Sequence, residues 1–148
     1  MKKRISFQII TLSLLSAISF TSCKEEGCMD PDSKTFNANA DKDDGSCKYE
    51  GSIVFYYKES TATQLISDGS SALTYYVNGS IIGSSAANVF FITVPTCGSN
   101  GSVSKTIDLG SDKAKSITYK VIDDFGDIIW EGSYNVKANT CNQLELVY

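Results

Sequence analysis

From Glu50 onward the sequence predicts an all-β fold: an antiparallel β-sandwich of about seven to eight short strands, preceded by a short disulfide-closed irregular segment. Three observations predict it. Apolar residues recur at every second position, turn dipeptides break the chain at short intervals, and no long stretch has the helical period of about 3.6 residues. Residues 52–58 alternate around Ile53, Phe55 and Tyr57. Stretches 72–77 and 80–83 flank Asn78-Gly79, a pair that favours the two-residue hairpin turn because both positions accept positive φ. Further strands are expected at 89–94, 102–107, 116–122, 128–136 and 142–147. In the sixth, Ile117, Tyr119 and Val121 share a face opposite Thr118 and Lys120; in the seventh, Trp130, Tyr134 and Val136 oppose Glu131, Ser133, Asn135 and Lys137. Residues 61–67 fit neither period and are expected to be an irregular connection. Turns at Asp68-Gly69, Asn100-Gly101 and Asp124-Phe125-Gly126-Asp127 complete an immunoglobulin-like or related sandwich.

Such a fold places Trp130 and the inward-facing tyrosines in the core, where aromatic rings bury the most area. In each of the pairs Tyr56-Tyr57 and Tyr75-Tyr76 one ring must point outward if the strand has a solvated side. Tyr56, Tyr75 and Tyr76 are therefore candidate platforms for a sugar or a protein partner.

The chain opens Met1-Lys2-Lys3-Arg4, continues with an apolar stretch over 5–20 and reaches Thr21-Ser22-Cys23. A spanning helix needs about 20 mostly apolar residues, and this stretch is shorter and broken by Ser6, Gln8, Thr11, Ser13, Ser16 and Ser19. A cationic head, an apolar centre and small residues before a cysteine resemble a bacterial lipoprotein signal peptide, although Phe20 stands where such signals usually carry Leu. The resemblance implies removal of residues 1–22 and acylation of Cys23, with palmitate-like chains as a stable membrane anchor. Relaxed signals of this kind resemble those of Bacteroidota. There, a lysine and two acidic residues after the lipidated cysteine, as in Lys24-Glu25-Glu26, resemble a signal for display on the outer face of the outer membrane. The implied organisation is a signal at 1–22, a lipidated N-terminus and acidic spacer at 23–49, and the sandwich at 50–148.

Removing residues 1–22 leaves all 17 acidic residues but 10 of the 13 basic ones, a net charge near −7. With no Lys/Arg cluster, that balance excludes nucleic acid, whose binding draws on a basic footprint. Of the five cysteines, setting Cys23 aside leaves Cys28, Cys47, Cys97 and Cys141, an even set in an exported chain. Four cysteines allow three connectivities. The preferred one is 28–47 and 97–141, because the first pair brackets one polar segment and the second lies in the β-rich region. Zinc is disfavoured by the lack of histidine and of any Cys-x-x-Cys pair.

Between Cys28 and Cys47 the chain is turn chemistry: Asp30-Pro31, Asn37-Ala38-Asn39-Ala40, Asp43-Asp44-Gly45-Ser46. The segment resembles a module of exported Bacteroidota proteins written Gly-Cys-x-Asp-Pro, Asn-x-Asn-Ala, Asp-Asp-Gly-Ser-Cys, present here once. Asp30, Asp32, Asp41, Asp43 and Asp44, with Asn37 and Asn39, offer hard oxygen ligands of the kind Ca²⁺ takes. Sodium or no ion fits equally, and the EF-hand pattern does not: counted from Asp41, glycine comes one place early and Ser52 stands where the bidentate glutamate belongs.

No cofactor or catalytic residue is assigned. Without histidine there is no Ser-His-Asp or Cys-His arrangement. Asp123, Asp124 and Asp127 are the densest late carboxylates, and a two-carboxylate glycoside hydrolase is the remaining enzyme class; their setting between two alternating strands reads instead as a hairpin loop. The sequence thus points to a non-enzymatic cell-surface lipoprotein, a binding, adhesion or accessory module for a glycan or protein. The alternatives are a structural envelope lipoprotein and a small hydrolase.

Overall fold

The computed structural model describes residues 24–148; the signal-like segment and Cys23 lie outside the described residues. The chain forms an all-β sandwich of two sheets with a small disulfide-closed unit in front. That unit holds the two-residue strands β1 (Glu26–Gly27) and β2 (Lys42–Asp43), paired in parallel. The sandwich comprises β3 (Tyr49–Tyr56), helix α1 (Glu59–Ser67), β4 (Ala72–Val77), β5 (Ser80–Ala86), β6 (Val103–Gly110), β7 (Ala114–Asp123), β8 (Ile128–Lys137) and β9 (Cys141–Glu145). One sheet has the order β6-β3-β9 and the other β5-β4-β7-β8. All neighbours in the sandwich are antiparallel except β3 and β9, the first and last strands, which run parallel.

The core lies between the sheets and is built by alternation: Ile53, Phe55 and Tyr57 face Leu73, Tyr75 and Val77, with Ile117, Val121 and Val136 beside them. Phe55 packs against Tyr75 and Tyr119 at centroid distances of 5.7 and 5.8 Å. Trp130 is half-buried, stacked on Tyr57, its indole N–H donating to the Val147 carbonyl (2.9 Å). At one margin Gly51 lies so near β8 that a Cβ would come 2.2 Å from the Lys137 carbonyl oxygen. At the other, Gly83 passes close to the Val103 side chain.

Two segments differ from expectation. The supposed irregular connection at 61–67 makes up most of α1, whose Thr61, Ala62 and Leu65 are buried on one face. Asp68-Gly69, expected as a plain turn, is its stop: Gly69 takes φ +97°, Ser70 N–H donates to the Leu65 carbonyl and Gly69 N–H to that of Ile66. These are the paired bonds of a Schellman cap. The strand expected at 89–94 is irregular. β3 is already paired on both sides, by β6 and β9, and this apolar run is fastened to the sheet by single bonds without a ladder of its own. Phe91 N–H donates to the Tyr57 carbonyl, the Gln143 amide donates to the Pro95 carbonyl (3.3 Å), and Cys97 is bonded to Cys141. These bonds make residues 89–97 a strap tied to Tyr57 and β9; Val54 and Tyr56, which lie outside the main core cluster, are buried as well. Both rings of Tyr56-Tyr57 are buried, and the Tyr56 hydroxyl donates to Glu145 (3.0 Å).

The N-terminal unit sits at the end of the sandwich where β3 begins. Cys28 is fully buried and bonded to Cys47. The buried Ser33 hydroxyl donates to the Lys48 carbonyl (2.7 Å) and accepts from the N–H groups of Lys48 and Thr35. Lys113, in the turn after β6, pairs with Asp30 at 2.5 Å and Asp32 at 3.7 Å, while the Tyr49 hydroxyl donates to Asp30 (2.7 Å). Lys34 pairs with Glu50 at 3.4 Å.

Candidate functional site

Lys24, Glu25 and Glu26 begin the described chain and are exposed. Glu25 accepts the Asn37 amide (2.8 Å) and Glu26 pairs with Lys42 at 2.6 Å, so the residues expected to carry an export signal also fasten β1 to its unit. Among the described residues no helix is long and apolar enough to cross a membrane.

The five aspartates expected as hard-metal ligands are dispersed. Asp30 and Asp32 turn to Lys113, Asp43 accepts the Gly45 N–H and Asp44 the Ser46 N–H, and Asp41 stays exposed. Lys113, then the Tyr49 hydroxyl, hold the Asp30 carboxyl down to a pKa of about 2. The bonds from Ser46 lower that of Asp44. Among the described residues no three Cys, Asp or Glu side chains gather as a metal site.

Asp123 and Asp124 are built into the frame. Asp123 is buried and accepts the Ser70 hydroxyl (3.3 Å) and the N–H groups of Phe125 (3.0 Å) and Asp127 (2.9 Å). Asp124 accepts the Ser71 N–H (2.9 Å), the Ser71 hydroxyl (2.7 Å) and the Ala72 N–H (3.4 Å), and the Ser71 bonds bring its pKa to about 2. Together they lock the β7–β8 hairpin to the connection between α1 and β4. Asp127 is exposed.

Of the candidate tyrosine platforms, Tyr56 and Tyr75 are buried. Burial pushes the Tyr75 hydroxyl well above its ordinary pKa, and it shares a 3.1 Å hydrogen bond with Ser85. Tyr76 alone faces out. It sits opposite Lys120, which sits opposite Glu131, across three neighbouring strands. The Lys120 ammonium lies 4.9 Å from the Tyr76 ring centre, a cation–π contact. These residues, with Thr118 and Gly79, line a crevice of about 530 Å³ on the four-stranded sheet. It can accept hydrogen bonds at Glu131, donate them at Lys120 and stack a ring or sugar at its rim.

A second surface escaped the sequence reading. At the end of the sandwich opposite the N-terminal unit, Ile66, Ile92, Phe125, Ile128, Val147 and Tyr148 are all more than half exposed. These are six of the ten exposed large apolar side chains among the described residues. One signal was legible: Phe125 is a large apolar residue at the tip of a hairpin loop, where polar residues usually stand. The others come from α1, the strap and the C-terminal segment, whose convergence no local pattern encodes.

Comparison with protein-family models, with curated proteins and with solved structures returns no match.

Proposed function

We propose that this chain is a non-enzymatic cell-surface lipoprotein, anchored through lipid on Cys23 to the outer membrane and facing the exterior, whose sandwich is a binding or adhesion module. The observation that carries this reading is the fixed attachment of the N-terminal unit at one end. Lys113 and Tyr49 hold Asp30, Lys34 holds Glu50, and the unit's first strand begins at Glu26, three residues after Cys23. A chain so built stands on its anchor with the other end of the sandwich directed away from the lipid. Two disulfides suit an oxidising compartment. A binding role is supported by the outward crevice at Tyr76, Lys120 and Glu131, while the hydrogen bonds already made to Asp123 and Asp124 favour a structural use of those carboxylates over acid–base work. The partner class is a glycan or a protein.

The test is made in the cells that produce the chain. Palmitate labelling should mark the wild type and not Cys23→Ala, the variant should leave the membrane fraction, and protease added to intact cells should remove the wild-type chain. A Cys23→Ala chain that keeps its label and its membrane partition removes the anchor; wild-type chain untouched by external protease removes the outward display.

A further inference from the structure

The end opposite the N-terminal unit combines exposed apolar groups with a strong excess of one charge. It carries Glu59, Asp68, Asp123, Asp124, Asp127 and Glu145 against a single ammonium, Lys58. The remaining lysines lie along the sheets or at the N-terminal unit's end. Soluble single domains seldom expose large apolar side chains together without a use for them. Two crevices flank α1 there. One of about 200 Å³ is lined by Lys58, Glu59, Phe90, Phe91 and Ile92, the other, of about 410 Å³, by Ser60, Thr61, Gln64, Val147 and Tyr148.

We propose that this end is a docking surface for a protein whose contact patch has an aliphatic or aromatic centre and a Lys/Arg rim. The proposal deepens the binding-module reading and rests on it for the outward placement of this end. Charge selects the occupant. An anionic lipid surface is repelled by the same carboxylates, and a second copy meeting this end with its own would bring like charges together. The opposite end of a second copy carries lysines but more carboxylates, Glu26, Asp32, Asp41, Asp43 and Asp44 among them, and so offers no basic rim. A neutral glycan would leave the net negative charge of this end uncompensated. A basic-rimmed apolar patch matches both features, with the apolar centre giving affinity and the rim giving orientation and rate.

The surface is also pre-ordered, which lowers the cost of binding. Phe125 rides on a loop whose N–H groups at 125 and 127 are both held by the Asp123 carboxylate. Ile66 belongs to the Schellman cap of α1, its carbonyl accepting the Gly69 N–H, and Ile92 follows Phe91, whose N–H is bonded to Tyr57.

The experiment uses the full chain in the cells that make it, with Phe125→benzoylphenylalanine and Ile92→benzoylphenylalanine as photo-cross-linking variants and Ile81→benzoylphenylalanine as control. The two end positions should trap the same protein, the control should not, and the trapped peptide should hold apolar residues among lysines or arginines. Adding Asp127→Lys and Glu59→Lys should cut trapping at least tenfold while the disulfide-dependent gel mobility stays unchanged. Trapping of lipid, of a glycan, of a second copy or of an acidic segment overturns the proposal. So does equal trapping from Ile81, undiminished trapping after charge reversal, or nothing trapped at either position, wherever the chain lies. Surface proteolysis of the same strains separates the two readings: a partner trapped by a chain that is not displayed sinks the outward-facing lipoprotein and leaves the docking surface standing.

Discussion

At the residue scale, the sandwich depends on a few side chains that satisfy or spare the backbone. Gly51 is the sharpest case. The atom that an added methyl would meet at 2.2 Å is a main-chain oxygen, so the two sheets would have to part. Gly51→Ala should cost about 3 kcal/mol, at the upper end of overpacking penalties. Gly83→Ala should cost much less, because its nearest neighbour, at 3.1 Å, is a Val103 methyl that can give way. Urea unfolding midpoints of the two variants check the order; equal midpoints would sink the argument. Asn142 is the polar counterpart. It is buried, its amide nitrogen donates to the carbonyls of Ser52, Lys137 and Thr140, and its oxygen accepts the Lys137 N–H. Asn142→Ala leaves a part-buried N–H and three carbonyls without this partner, and the expected loss is about 2–3 kcal/mol, read from the same unfolding curves. Neither role was legible in the sequence. Both are set by which strands meet across the sandwich, and a residue's own neighbours do not carry that information.

At the scale of elements, what was legible and what was not follows from period and partners. β4 and β7 were readable because each has one buried face, and β8 because Trp130, Tyr134 and Val136 are its half-buried or buried side, so alternation and structure coincide. α1 was not, because two turns place just Thr61, Ala62 and Leu65 inward, too few for a period of about 3.6 residues to stand out. The run Val89-Phe90-Phe91-Ile92 has strand composition, yet it forms no ladder: Val89 N–H closes a turn onto the Ala86 carbonyl and Phe91 N–H bonds Tyr57 beyond the end of β3, a placement set by tertiary contacts. The two cysteine pairs were placed correctly, because each joins residues within one polar segment or one β-rich region. The disulfides should nonetheless differ in effect. Cys97–Cys141 closes 44 residues across a sheet with its own core, whereas Cys28–Cys47 closes 19 residues around little apolar matter. In the chain-entropy view the shorter bond is worth about 3 kcal/mol, a large share of what can hold so small a unit. Cys28→Ser with Cys47→Ser should therefore abolish amide-exchange protection at residues 33–48 while protection in β3, β4 and β7 persists. Loss of protection throughout would mean that the sandwich depends on the unit.

At the scale of the whole molecule, the Lys113–Asp30 ion pair joins the N-terminal unit to the sandwich beside the Tyr49–Asp30 and Lys34–Glu50 contacts, and pH should expose its share. Asp30 has its pKa lowered from 3.8 to about 2, mainly by Lys113, so the stabilisation it brings is complete above about pH 4 and is lost as pH falls through 3.8 toward 2. Lys113 is shifted the other way, upward from 10.5 by Asp30, so its share is present at all lower pH and fades only as the solution becomes strongly basic. Across the neutral range the joint should thus be insensitive to pH, and in acid it should loosen. Other carboxylates with lowered pKa values, Asp44, Asp108 and Asp124, also release their bonds in acid, so acid loosening alone does not identify the pair. Lys113→Ala does. It removes the main partner of Asp30 while leaving the Ser33–Lys48 bonds and both disulfides in place. At pH 7 backbone relaxation should find residues 24–48 tumbling partly independently of the sandwich in the variant and together with it in the wild type. As pH falls from 4 toward 2 the wild type should move toward the variant, and the variant should change little. If the variant at pH 7 tumbles as one body, the orientation of the sandwich on its N-terminal unit is held by Tyr49–Asp30 and Lys34–Glu50, and the ion pair at Lys113 is incidental to it.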